Sequence, residues 1–570
     1  MYVATVLTII LFASVSSAVQ YISAPALSNV IGTHVGAVSA GKQIMVPIIT
    51  WGGDIATIHG NGDSITTAPG SIFAQKGLDM KLVRMDDFKK QVETYMRGNT
   101  PFLRGTMGMI NMALGVLSKD PRTVPVVIYQ LTWSTGGDCL VVKDGINTIR
   151  DLKGKTIALQ AYGPHVAYMT KVFRDAGLSL SDVRIKWVAD LTGTKNTPGE
   201  AFKDGNVDAA FVIIPDGMTL TSKGTVGTGS EGSVRGAKIL MSTKTASRII
   251  CDVYAVRSDF LKANRDKVRA FVHGLLLAEQ SLRGIFVNKK ANLAAYKKMI
   301  KAAAKILLDS EKATADADGL YGDCQYVRFP GNVRFFGDAN WPRNFENITR
   351  ELQASLVTIG LLKNTSSLTH AKWNYDQLRA GLTGTEGVQT PRFKADVIRQ
   401  VIARKAAQGT LKQGELFSFE IFFKPNQNDF PVEIYVDAFK RVVDLASTYA
   451  GAVITIEGHS DPLGYLRMKK RGENNILLRR VVQASKNLSL TRAIKVRDAI
   501  IAYAKSRGLN LDISQFTIVG HGITQPKTGI NPSTGEPNAP RTEAEWRSNM
   551  RVLFRIIQVE AESNAFTPLN

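Results

Sequence analysis

KTIALQAYGPHVAYMTKVFRDAGL, residues 155–178, decides the fold. KTIALQA is a short apolar run of strand type. Tyr162, Gly163 and Pro164 follow as a turn. HVAYMTKVFRDAGL then reads as an amphipathic helix ended by Gly177. The same alternation continues on both sides. IMVPIIT (44–50), DMKLVRM (79–85), VPVVIYQLTW (124–133) and VDAAFVIIPD (207–216) read as strands, and DDFKKQVETYM (86–96) as a helix. Continuous apolar strands alternating with helices predict parallel sheets covered on both faces. DKVRAFVHGLLLAEQSLRGIF and LAAYKKMIKAAAKILL are longer helices. Residues 318–344 are rich in Gly and aromatics and read as an irregular insertion or lid. Residues 20–43 read as a linker and 381–414 as a connector that contains a helix.

The pattern changes after residue 415. FSFEIFF, AVITIEGHSD, FTIVGHG and MRVLFRII are strands. VEIYVDAFKRVVDLASTYA and LSLTRAIKVRDAIIAYAKSRGL are helices. This is a separate α+β domain at 415–560, with its helices expected on one face of a sheet.

The whole chain has 570 residues, too many for one core and enough for three or four domain-sized units. With 44% apolar and 21% charged residues, a wholly disordered chain and a polytopic membrane protein are excluded. The 71 basic and 49 acidic side chains give +22, which suits an anionic partner. That charge is spread out: residues 401–570 hold 23 basic and 16 acidic groups, or +7, leaving +15 for the first 400. A nucleic-acid module concentrates its charge, so no nucleic-acid partner is expected.

No charged side chain precedes Lys42, and residues 3–19 are apolar, ending in Ser16, Ser17 and Ala18. A signal peptide with a small-residue cleavage site is expected at 1–19, with an inner-membrane anchor as the alternative. Either places the rest of the chain in the periplasm. Cys139, Cys251 and Cys324 form no CxxC pair or Cys/His cluster, so no zinc site is expected. Gly227 to Gly232 matches GxGxxG, but no strand precedes it and no helix follows, so it reads as a flexible loop.

SIFAQKGLDMKLV, INTIRDLKGKTIALQAYGPHVAYMTKVFRDAGL and IICDVYAVRSDFLKANRDKVRAFVHGLLLA resemble segments of nitrate/sulfonate/taurine-type substrate-binding proteins of ABC importers. The resemblance covers about 44–380. It implies an α/β two-lobe periplasmic-binding-protein fold (type II), with lobe two at about 138–251, closing on a small polar solute and serving an ABC permease. Binding loops of such a fold leave strand ends and meet helix N-termini, which favour anions. Four loops fit: Thr50, Trp51, Gly53 and Asp54; Thr106; Trp133, Ser134, Gly136, Gly137 and Asp138; and Gly163 with His165. Asp216, ending VDAAFVIIPD, would face the same cleft. Asp54, Asp138 and Asp216 argue against a purely anionic solute. The two crossovers carry Cys139 and Cys251, so a disulfide between them is expected. No cofactor is implied. No catalytic residue stands out, and the Cys/His-rich motif of thiamine-precursor synthase-like relatives is absent, so no enzyme is expected.

ITIEGHSDPLG, LSLTRAIKVRDAI, FTIVGHGITQPK and RSNMRVLFRI resemble the OmpA-like peptidoglycan-binding domain, an α+β sandwich. The resemblance implies that Asp461 and Arg492 grip the diaminopimelate of a peptidoglycan stem peptide, with Gly464, Leu488, Ser489, Asn549 and Arg551 around them. A carboxylate accepts from the ammonium, and a guanidinium clamps the carboxylate with two parallel bonds. Two features depart from the family: Met550 replaces an Arg, and the stretch from 464 to 487 is long. Residues 465–486 carry seven basic groups against Glu473, so an outer-membrane or wall polyanion is a further expected partner there. The alternative to a tethered receptor is a structural envelope protein whose lobes serve as a scaffold.

Overall fold

The computed structural model describes residues 19–38, 41, 43–230, 232–385, 393–412, 414–423 and 430–558. The expected signal peptide or anchor, but for its last residue, lies outside them. No described helix is long and apolar enough to cross a membrane.

Thr156–Gln160 is a strand and His165–Ala176 a helix, closed by Gly177 in left-handed backbone at φ 72°. The strand lies in a five-stranded sheet ordered Arg184–Val188, Thr156–Gln160, Ala209–Ile213, Asp138–Val142, Lys238–Ser242. Successive side chains point to opposite faces. Ile157 and Leu159 therefore enter one apolar cluster and Ala158 another. A second sheet orders Cys324–Tyr326, Pro125–Ser134, Cys251–Arg257, Phe102–Thr106 and is antiparallel along that path. The expectation of wholly parallel sheets is corrected by this finding. The chain leaves through Pro125–Ser134 and returns through Cys251–Arg257, so the two crossover strands pair in opposite senses, with Tyr254 opposite Tyr129.

The C-terminal sheet is ordered Glu415–Phe422, Arg551–Ile557, Val453–His459, Phe516–Gly522. Ile454, Ile456, Phe554 and Ile556 face the Val432–Thr448 and Asn475–Ser506 helices. Val453 and Ile557 point the other way, onto Ile398, Val401 and Ile402 of the Ala395–Ala407 helix. The expected connector therefore supplies a helix to the second face of the sheet.

The largest apolar cluster runs without a break from the Met107–Leu117 helix, through His165–Ala176, into the C-terminal sheet. Polar contacts reinforce that junction. Lys171 bonds Asp175 at 2.8 Å and Asp444 at 2.9 Å, and the Tyr449 hydroxyl donates to Asp175 at 2.9 Å. Arg174 pairs with Glu351 at 2.6 Å across the two lobes, and Arg343 joins the same carboxylate at 2.9 Å.

Several further expectations are corrected. Residues 20–38 do not form a free linker: Leu27 and Ile31 are buried, Ile22 bonds Trp187, and Gly36 bonds Met96. Residues 318–337 are largely regular, comprising the end of Thr314–Gly322, Cys324–Tyr326 and Arg328–Gly337, while 338–344 are turns. The long stretch from 464 to 487 is helical, in Leu463–Lys470 and the start of Asn475–Ser506. Cys139 and Cys251 form no disulfide. Cys139 packs toward Gly217 in the outer cluster of lobe two, whereas the Cys251 thiol accepts from Gln130 at 3.1 Å in the central one.

Candidate functional site

The loops proposed to line a cleft do converge, but their polar groups bond one another. Thr50 donates from its backbone and hydroxyl to Asp86. The Trp51 indole donates to Thr132 at 3.0 Å, and its ring packs so closely on Gly137 that a Cβ there would lie 2.5 Å away. Gly53 tolerates no larger residue easily, since Thr132 would meet its Cβ at 3.0 Å. Trp133 is a packing residue, edge-on to Phe335 and Trp341. Thr106 caps the Met107–Leu117 helix by accepting from Met109 at 3.2 Å.

Asp54 is fully buried and bound by Arg104 at 2.8 Å, and Arg104 also holds Asp252 at 2.8 Å. Burial raises Asp54 to about 7 in spite of that guanidinium. Asp138 accepts from Ser134 at 2.6 Å and meets His165 Nε2 at 2.8 Å. His165 is itself buried, and its Nδ1 has no partner among the described residues. Gly163 sits tight against the Gln160 side chain. Asp216 does not end a strand; it lies in the Ile214–Leu220 helix, where burial and then Glu200 push its carboxyl up.

What closes these loops together lies in the stretch that the sequence reads as an irregular insertion or lid, although that reading names no residue of it for the site. The Leu320 carbonyl sits where a Cβ on Gly52 would be, and Asp323 accepts from the Thr135 N–H at 2.9 Å through its backbone carbonyl. The Asp323 side chain approaches Gly136, beside Lys244. Burial and then Asp138 raise the Asp323 carboxyl to about 6. Residues 314–326 thus pack over the N-terminal end of the Asp54–Gly60 helix.

The C-terminal domain offers a different arrangement. Asp461 and Arg492 line one cavity of about 640 Å³, together with Gly464, Leu488 and Trp546. Asp461 follows the strand Val453–His459; Arg492 projects from Asn475–Ser506. Asp461 accepts from the Leu463 N–H at 2.7 Å and from Asn549 Nδ2 at 2.8 Å. Burial pushes its carboxyl up. Arg492 is 5% exposed, and its Nε has no partner among the described residues. Burial pulls its pKa down, yet a guanidinium stays charged. The pair therefore puts a carboxylate and a guanidinium on the wall of one space, with the guanidinium Nε buried and unbonded.

Ser489 is structural: its hydroxyl accepts from Gly522 N–H at 2.9 Å and donates to the Lys486 carbonyl. Gly458 is required beneath it, because a Cβ there would lie 2.0 Å from the Ser489 carbonyl oxygen. Arg551 is committed to Glu420 at 2.8 Å and lies off the cavity wall.

Glu457, His459 and His521 bring ligand atoms within 4.8 Å of one another. The carboxylate is already engaged by Arg555 at 2.8 Å, His521 at 3.1 Å and Thr455 at 2.7 Å. Against the burial that would raise it, His521 and Arg555 hold Glu457 down to about 2. Burial, then Arg551 and His521, push His459 well below its ordinary value. This donor set is a hydrogen-bonded core network, and no metal is assigned to it.

No curated protein matches the chain. Among solved structures, it is similar to the periplasmic sulfonate-binding protein SsuA of Methylobacillus flagellatus KT. That alignment has 17% identity and a TM-score of 0.40, over 62% of this chain and 100% of that one. The aliphatic sulphonate-binding protein SsuA of Escherichia coli aligns at 15% identity and a TM-score of 0.38, over 62% and 96%. The desulfurization enzyme DSZB aligns at 14% identity and a TM-score of 0.35, over 59% and 96%. The NMT1/THI5-like family model matches residues 71–282, a span holding the entire Asp138–Val142 sheet and both crossover strands.

Proposed function

We propose that this chain is a solute-binding receptor of the kind that serves ABC-type importers, exported to the periplasm and held to peptidoglycan by its C-terminal domain. One observation carries the tether: Asp461 and Arg492 line a single cavity, and the buried guanidinium keeps an unbonded N–H. That set complements the ammonium and carboxylate on one carbon of diaminopimelate. The receptor half is supported by the NMT1/THI5-like match and by two sheets joined through a pair of crossover strands. Its mechanism is lobe closure on a small polar solute, with no bond chemistry. Tethering would keep the receptor at high local concentration near its permease.

A second reading, that the lobes are a scaffold, is favoured by the internal pairing of Asp54 with Arg104 and of Asp138 with His165. Native mass spectrometry of the full chain isolated from envelopes separates the two. A bound small molecule released on denaturation supports the receptor. A bare chain whose melting point no solute raises supports the scaffold.

A further inference from the structure

The cavity that holds Asp461 and Arg492 carries more positive charge than one zwitterionic carbon needs. Arg467, from Leu463–Lys470, and Arg541, just ahead of Glu543–Asn549, line it as well. Among the described residues, Arg467, Arg492 and Arg541 have no ion-pair partner within 4 Å. The acidic side is smaller. Glu543 is paired with Arg547 at 2.6 Å, so Asp461 is the one lining carboxylate free of an ion pair there. Arg492 is buried, whereas Arg467 and Arg541 are exposed. The cavity thus has a floor with one acceptor and one guanidinium, and a rim with two more guanidiniums. At about 640 Å³ it lies within the range of small-ligand clefts, roughly 300–1,000 Å³. Leu463, Leu488 and Met550 give it apolar wall for a methylene chain.

From this juxtaposition we infer that the site selects stem peptides whose other carboxylates are free, with Arg467 and Arg541 as the residues that read them. The inference rests on the wall-peptide reading above. A tripeptide of alanine, γ-linked glutamate and diaminopimelate has one ammonium-bearing carboxylate carbon at the free end of its diaminopimelate. It carries two further carboxylates, one on glutamate and one on diaminopimelate. The floor pair takes the first centre, and the rim guanidiniums meet the other two. A guanidinium facing a carboxylate forms a charge-assisted, bidentate contact that a neutral amide cannot match. Arg467 comes from the helical segment lengthened relative to the family, so this preference belongs to this chain's own departure from the motif.

Fluorescence anisotropy with the full chain tests it, using the labelled free-acid tripeptide and the same peptide amidated at its glutamate carboxylate and second diaminopimelate carboxylate. The wild type should bind the free acid at least tenfold more tightly than the diamide. Arg467→Ala and Arg541→Ala should each weaken the free acid more than the diamide and so cut that preference to about threefold or less; both side chains are exposed, so folding is retained. Lysine at either position should keep part of the preference, because it retains charge but not the fork. An undiminished preference in both alanine variants overturns the inference and leaves the tether standing. If the wild type binds neither peptide, the wall-peptide reading itself falls.

Discussion

Replacing Lys171 by Met should loosen the C-terminal domain from lobe two. The ammonium is buried, 2% exposed, and shared between Asp175 and Asp444. The two carboxylates differ in what they lose. Asp444 is 36% exposed and rehydrates, so its share is that of a surface pair, about 0–1 kcal/mol. Asp175 is 7% exposed and, among the described residues, retains the Tyr449 hydroxyl but no ion-pair partner within 4 Å, with Arg343 acting on it only from farther off. Burial already pushes its carboxyl up against the pull of Lys171. Removing one partner of a buried pair costs about 3–5 kcal/mol, most of it from the charge left behind. Lys171→Met with Asp175→Asn removes both charges and should recover all but about 1 kcal/mol. Several domains unfold here, so a single global transition is a poor readout. Native-state hydrogen exchange of the Val432–Thr448 and His165–Ala176 amides reports the local opening free energy. A loss under about 1 kcal/mol in the single variant, or a double variant no better than it, would refute the reasoning.

Three further outcomes are expected. Glu457 is held from 4.5 down to about 2, so its contribution of about 3 kcal/mol is complete above pH 4.5 and lost on acidification toward pH 2. Glu457→Gln should flatten that limb of an acid-unfolding curve, and an unchanged limb would contradict the assignment. Gly458→Ala puts a methyl onto the Ser489 carbonyl; overpacking of about 1–3 kcal/mol should shift the helix that carries Arg492 and weaken sacculus binding. Full stability and binding in that variant would count against the packing argument. Alkylation of the denatured, unreduced protein should label all of Cys139, Cys251 and Cys324, and a blocked pair in the mass spectrum would reinstate a bridge.

What could be read from residues 155–178 was local: an apolar run, a Gly/Pro turn and an amphipathic helix each leave a pattern in the chain. Strand direction leaves none, which is why the antiparallel sheet around Pro125–Ser134 was missed. The cysteines failed for a related reason. Two crossovers can be neighbours while Cys139 points into an outer cluster and Cys251 into the central one. Asp54 looked like a ligand group because its position after a strand suits one; the clue to its true role was Arg104, a lone charge within the buried strand Phe102–Thr106 that required a carboxylate. Residues 318–326 read as part of an irregular insertion or lid because the helix and strand they belong to are too short to show a period. Asp461 and Arg492 were legible because motif residues mark both. Arg467 and Arg541 belong to segments without a motif, and only folding brings them to the same wall.

The most direct measurement is co-sedimentation of the full chain with purified sacculi, comparing wild type with the Asp461→Ala/Arg492→Ala double variant. Truncating the partners of a buried, charge-assisted contact costs about 2–5 kcal/mol, so affinity should fall by thirtyfold or more. The fall should be accompanied by unchanged circular dichroism, since Asp461 and Arg492 face a cavity rather than a core. Retention of wild-type affinity by the double variant would contradict the account.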